Sequence, residues 1–141
     1  AVLIASTEMA RGLGRLGETG ERLVAAHWPG GLTVVVDRSE VVDADLGGDP
    51  TSIGLRCPDL DPLRRLIDEV GPLVTTSANR AGDPTATTAS DVEDVFGDAL
   101  GAVVDGGRLS GLASTVVDLR GDAPIVLREG ALSAAELTAL S

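Results

Sequence analysis

Hydroxyl, amide and guanidinium side chains recur in this chain where an apolar run stops. Ser52 and Arg56 bracket Ile53-Gly54-Leu55, and Ser77 and Asn79 follow Leu73-Val74-Thr75-Thr76. Thr87 and Thr88 precede a helical pattern, Ser114 and Thr115 open Val116-Val117, and Arg128 closes Ile125-Val126-Leu127. These groups suit ribose, phosphate and carboxylate recognition: a guanidinium grips an oxyanion through two parallel hydrogen bonds, while hydroxyls and amides both donate and accept. Each also has a purely structural alternative. Arg56 has Asp59 and Asp61 nearby as partners, Ser77 and Asn79 can cap the turn after their strand, and Arg128 has Glu129 and Asp118 within reach.

Other chemistries are poorly supplied. A phosphate loop of the Gly-x-x-x-x-Gly-Lys-Ser/Thr type needs a Lys, and there is none. Gly12-Leu13-Gly14 lacks both the preceding strand and the third glycine of a dinucleotide fingerprint. One His and one Cys cannot build a zinc cluster. Cys57, just before Pro58, reads as a small core residue rather than a nucleophile, and His27 as a helix-end residue. The carboxylates read as solvated surface, with no acid–base pair singled out.

The elements that would position these groups follow from pattern. Residues 2–5 form a short apolar strand, 7–16 a weak helix diluted by Gly12 and Gly14, and 18–27 a better helix. Trp28-Pro29-Gly30-Gly31 turns the chain into a β-branched strand from Leu32 to Asp37. Residues 38–50 form a loop or hold one short extra strand. Thr51–Arg56 is a strand, and Asp61-Pro62 starts a helix whose Leu63, Leu66, Ile67 and Val70 share a stripe. Leu73–Thr76 reads as a buried strand running into the Ser77/Asn79 loop. Ser90-Asp91-Val92-Glu93 reads as a capping box for a helix with Val92, Val95 and Phe96 inward. Ala102–Asp105, Thr115–Leu119 and Ile125–Arg128 complete the strands, the last two joined by the Gly121–Pro124 hairpin turn, and Ser133-Ala134-Ala135-Glu136 caps a terminal helix. Six or seven strands among four or five helices predict an α/β (α+β) domain with a twisted mixed β-sheet flanked by helices.

The 141 residues suit one domain, 43% apolar, with a core of Val, Leu, Ile and Ala. The formal net charge is −11, and all 11 basic residues are Arg. Such a surface argues against direct nucleic-acid binding, and the near absence of aromatics against base stacking. Any phosphate contact should be local and made by Arg. A single Cys excludes an internal disulfide, and the absence of a long apolar run or leader pattern points to a cytoplasmic protein without membrane attachment.

Several motifs then stand in register. Trp28-Pro29-Gly30-Gly31-Leu32-Thr33, Ile53-Gly54-Leu55-Arg56-Cys57-Pro58, Thr76-Ser77-Ala78-Asn79-Arg80-Ala81-Gly82, Asp105-Gly106-Gly107, Ser114-Thr115-Val116-Val117-Asp118 and Leu127-Arg128-Glu129-Gly130-Ala131 resemble the YrdC/Sua5 family in order and spacing. The resemblance implies an L-threonylcarbamoyladenylate synthase, a nucleotidyltransferase that makes threonylcarbamoyl-AMP from L-threonine, bicarbonate and ATP with release of pyrophosphate. Its product would pass to the threonylcarbamoyl transferase machinery that modifies adenosine 37 of tRNA (t6A). By the same resemblance Ser52, Asn79, Thr87 and Arg128 bind ATP, and Arg56, Ser77 and Ser114 line the threonine pocket. Mg2+ would accompany ATP, with no covalent nucleophile and no protein-held metal.

The chain departs from the family in lacking Lys and Tyr altogether, and with them a Thr-x-Thr-x-Tyr-Gly-Leu-like stretch and a Lys-x-Arg motif. The expectation is therefore a single YrdC-like domain over residues 1–141 without the family's N-terminal segment. Two alternatives accompany it: a catalytically impaired binding module for nucleotide or amino acid, and a carbamoyl-transfer relative.

Overall fold

The computed structural model describes residues 1–80, 82–109 and 112–138. They form two compact units, Ala1–Thr75 together with the chain from Ala113 on, and Thr76–Leu112.

The first unit is built on a seven-stranded sheet. Its elements in chain order are β1 (Val2–Leu3), α1 (Thr7–Leu13), β2 (Gly14–Arg15), α2 (Gly17–His27), β3 (Leu32–Arg38), β4 (Ser52–Arg56), α3 (Asp61–Val70) and β5 (Leu73–Val74). After the second unit, which contains α4 (Ala89–Phe96) and a 3-10 turn at Gly97–Ala99, come β6 (Thr115–Asp118), β7 (Ile125–Arg128) and α5 (Ala134–Thr138). The strand order is β5-β1-β4-β3-β6-β7, with β2 also paired to β3. β1 runs parallel to β4 and β3 parallel to β6, whereas β3–β4, β6–β7, β2–β3 and β1–β5 are antiparallel. The expected mixed sheet is thus observed.

Strand side chains alternate between faces, so register decides what each face presents. One face carries Val2, Val34, Val36, Ile53, Leu55 and Val117, all buried, and packs with Ala10 of α1 and Leu23 and Val24 of α2 into a single apolar cluster. Cys57 joins that cluster, and its thiol donates to the Ala5 carbonyl at 3.3 Å, which places it in the core as expected. Burial pushes the thiol's pKa up, the opposite of what a nucleophile needs.

Four elements differ from the sequence reading. The helix expected over 7–16 ends at Leu13, and Gly14–Arg15 joins β3 instead. A Cβ on Gly14 would lie 2.6 Å from Val36 Cγ2, so only glycine permits that approach. The strand expected to be buried at Leu73–Thr76 is the two-residue β5 at the sheet edge, and Val74 is 63% exposed. Of the four apolar residues on α3 only Ile67 is buried, Leu63 being half-buried and Leu66 and Val70 exposed. Among the described residues Ala102–Asp105 pairs with no strand, and Val104 is 91% exposed. β-branched character made it look like a strand, but no neighbour supplies the ladder.

In the second unit the capping box begins two residues earlier than expected. Thr88 is the N-cap, its hydroxyl accepting from the Asp91 amide at 3.1 Å while an Asp91 carboxylate oxygen accepts from the Thr88 amide at 3.0 Å. The second expected box holds: the Ser133 amide donates to Glu136 at 2.8 Å.

The Asp91 carboxyl titrates below its usual range, chiefly because of the Thr88 hydroxyl and then the Thr87 amide. A carboxyl whose folded pKa is depressed contributes stability above its unfolded value, about 4, and loses it as pH falls through the folded value. We expect the α4 cap to loosen below pH about 4. Amide exchange at Asp91 and Val92 should accelerate there, and the Asp91→Asn variant should show the faster exchange already at neutral pH.

Candidate functional site

The other face of the same sheet is polar. The register places Ser52, Gly54 and Arg56 of β4 beside Thr33, Val35 and Asp37 of β3. Val116 and Asp118 of β6 stand on the same face through their pairing with Thr33 and Val35, and Val116 pairs in turn with Arg128 of β7. Strands that bury one face and carry polar groups on the other produce this division directly.

Arg56 is held from below. The Trp28–Leu32 turn, with a cis Trp28–Pro29 peptide, is fixed by the indole N–H donating to the Leu32 carbonyl at 2.8 Å and by the Gly30 amide donating to the Cys57 carbonyl at 2.9 Å. The turn thereby offers the Gly30 carbonyl to Arg56 Nε at 3.2 Å. Among the described residues, the two terminal nitrogens of Arg56 have no hydrogen-bond partner, and neither Arg56 nor Arg128 forms an ion pair. The expected alternative partners are engaged elsewhere: Asp59 and Asp61 pair with Arg64.

Arg128 donates through Nε and Nη2 to the Ser114 carbonyl at 3.2 and 2.8 Å, and through Nη2 to the Ser114 hydroxyl at 3.3 Å. Ser114 Oγ lies 2.8 Å from Thr33 Oγ1, and both residues are buried. Arg56 and Arg128 are close enough to repel, and burial followed by that repulsion lowers the Arg56 pKa. Two guanidiniums without an ion-pair partner among the described residues, one with its fork free, have the chemistry to receive an oxyanion.

Of the candidate residues, Arg56, Ser114 and Arg128 are thus brought together, and Ser52 stands four residues from Arg56 on the same strand face. The Ser52 hydroxyl donates to the Asp49 carbonyl at 3.2 Å, so its remaining capacity is to accept. Thr115, next to Ser114, is not a ligand group. It is fully buried on the core side, its hydroxyl donating to the Leu132 carbonyl at 2.6 Å and accepting from the Gly130 and Leu132 amides, both at 2.9 Å.

The remaining candidates lie in the second unit. Asn79 donates through Nδ2 to the carbonyls of Arg80 at 3.0 Å and Asp83 at 2.8 Å, the turn-capping role open to it from sequence. Its Oδ1 is buried without a partner, and an acceptor in that state favours an incoming donor. Ser77 is exposed, and Ala78 beside it has φ of 53°. The Thr87 hydroxyl donates to Asp91 at 3.3 Å and accepts from Arg108 at 3.0 Å, so it serves the helix cap. Ala81 of the same motif lies outside the described residues.

Sequence reasoning missed Thr33 and the Gly30 carbonyl. A Thr inside a β-branched strand looks like any other strand residue, and a backbone acceptor leaves no mark in sequence. Only the pairing of β3 with both β4 and β6 shows that Thr33 faces the site.

A mixed α/β sheet that buries one face and carries on the other arginines without ion-pair partners among the described residues has the form of an anion-binding domain. The chain belongs to the Sua5/YciO/YrdC family, whose model, described as telomere recombination, matches residues 1–130. It is 35% identical over 96% of its length to a putative threonylcarbamoyl-AMP synthase of Mycobacterium leprae, and 35% identical over 95% to the threonylcarbamoyl-AMP synthase of Pyrococcus abyssi. It spans 63% and 40% of those two relatives' own lengths. The crystal structure of Pyrococcus abyssi Sua5 complexed with L-threonine superimposes with a TM-score of 0.92 at 34% identity, covering 99% of this chain and 42% of that one.

Proposed function

We propose that this chain forms part of a threonylcarbamoyl-AMP synthase. The observation that carries the reading is the free Arg56 fork beside Arg128, a ready receptor for an oxyanion on the polar face of the sheet. The threonine-bound and threonylcarbamoyl-AMP-synthase relatives support threonine as the source of that oxyanion.

In this reading Arg56 grips the threonine carboxylate, and Ser114 and Ser77 contribute further polar contacts to the amino acid. Ser52, Asn79, Thr87 and Arg128 hold ATP. The threonine amine forms a C–N bond to the carbon of bicarbonate, with loss of water. The resulting carbamate oxygen attacks the α-phosphorus of ATP, and the bond to the β-phosphate oxygen breaks to release pyrophosphate. No side chain becomes covalently linked. The protein contributes orientation and compensation of anionic charge, which Arg56 and Arg128 supply by position.

Among the described residues no group of three or more His, Cys, Asp or Glu side chains is placed to hold a metal. Magnesium belongs to the proposal as part of the ATP substrate, neutralising phosphate charge when bound. The product would go to the tRNA-modifying threonylcarbamoyl transferase in the cytoplasm. No helix among the described residues is long and apolar enough to cross a membrane.

Pyrophosphate release tests the reaction. It should require L-threonine, bicarbonate and ATP together, with threonylcarbamoyl-AMP detected by mass. Release at the same rate without threonine would refute the reading.

A further inference from the structure

Glycines in this chain fall into groups with different physical reasons. At Gly14, Gly31 and Gly130 an added Cβ would lie 2.6, 2.5 and 2.2 Å from Val36 Cγ2, Ala131 Cβ and the Ala113 carbonyl oxygen, so packing excludes any other residue. At Gly17, Gly71 and Gly82 a positive φ of 65°, 90° and 90° gives the reason. Gly54 has neither. It sits in the middle of β4, outside the positive-φ glycines, and its Cβ would meet nothing nearer than Ala1 Cα and Thr33 Cγ2, both at 3.9 Å.

A glycine inside a strand weakens the sheet, because it loses backbone entropy and gives its cross-strand partner nothing to pack against. The partner here is Val35, a β-branched residue that would pair well with another. Neither local conformation nor the packing of the described residues accounts for what Gly54 gives up. Its place on the face supplies an account: Gly54 lies between Ser52 and Arg56, whose Cα atoms are about 13 Å apart along the strand. Anything that reaches from the Arg56 fork to the Ser52 hydroxyl must pass over Gly54.

We propose that Gly54 is the floor of the site and that its missing side chain admits the substrate there. The inference rests on the reading above, with threonine at Arg56 and nucleotide at Ser52. The bond joining carbamate to the α-phosphate then forms over the Gly54 backbone. A side chain at position 54 would lift that junction off the sheet while leaving each end's polar contacts intact, so position 54 sets which ligands fit rather than which charges are read.

Gly54→Ala and Gly54→Val separate this from a structural role. The thermal midpoint of Gly54→Val in the absence of ligand should equal or exceed that of the wild type. Pyrophosphate release should fall at least 100-fold for Val and about 10-fold for Ala, and L-threonine titrated alone should lose less than either. A Gly54→Val protein that unfolds at markedly lower temperature would make the glycine structural and overturn the inference. So would a stable Gly54→Val protein within twofold of wild-type activity, which leaves the functional reading standing. A wild-type protein that neither binds threonine nor releases pyrophosphate would instead overturn the functional reading, and this inference with it.

Discussion

Replacing Arg56 with Gln should abolish binding of a carboxylate ligand while leaving the fold intact. The Arg56 fork has no protein partner at its terminal nitrogens, so its main hydrogen-bonding capacity is directed at something else. Truncating one partner of a partly buried, charge-assisted pair costs about 2–5 kcal/mol, a loss of affinity on the order of 100-fold. Folding gives up one bond to the Gly30 carbonyl and is relieved of the repulsion from Arg128. The thermal midpoint without ligand should therefore hold or rise. Arg56→Lys should recover only part of the binding, because an ammonium cannot make two parallel bonds. Calorimetric titration with L-threonine, read beside a thermal melt, checks both halves.

Thr115→Val should have the largest effect on stability. The substitution keeps shape and removes a fully buried hydroxyl that satisfies the Leu132 carbonyl and the Gly130 and Leu132 amides. Each buried polar group left without a partner costs about 1–3 kcal/mol, so a total on the order of 3–5 kcal/mol follows after partial relaxation. The same hydroxyl fastens the segment after β7 against β6, where Arg128 and Ser114 meet. A drop in denaturation midpoint should therefore come with weaker ligand binding. Thr115→Ser, which keeps the three bonds, should recover most of the stability. Chemical denaturation of the three proteins gives the comparison.

The neighbouring residues Ser114 and Thr115 show where sequence reading stops. Both are hydroxyls at the start of one strand, and only alternation separates them: Ser114 falls on the polar face with Thr33, and Thr115 on the core face with Leu32. That assignment depends on which strands pair and in what register, which a single strand's sequence does not state. Strands rich in Val and Ile, such as β3, β6 and β7, were legible within a residue or so because their β-branched runs end at Gly, Pro or charged residues. β2 was not, because two residues of a glycine-diluted stretch carry no periodicity. It forms because Gly14 can approach Val36 closely.

The site was legible to a similar depth. Its arginines and serines stand where apolar runs end, and the family motifs place them in order. Whether Arg56 would pair with Asp59 or Asp61 was open from spacing. The structure answers it through Arg64, which lies one helical turn from Asp61 and takes both carboxylates. Thr87 carries a role the sequence did not show: its hydroxyl also serves the cap of α4, which the shifted capping box explains.

The claim that Arg56, beside Arg128, receives an amino-acid carboxylate is tested most directly by comparing L-threonine with L-threoninamide, which carries a neutral carboxamide in place of the carboxylate. Titrated into the protein, threonine should bind and the amide should bind at least 100-fold more weakly, with both reduced to the same low level in Arg56→Gln. Equal binding of the two ligands to the wild-type protein would contradict the account.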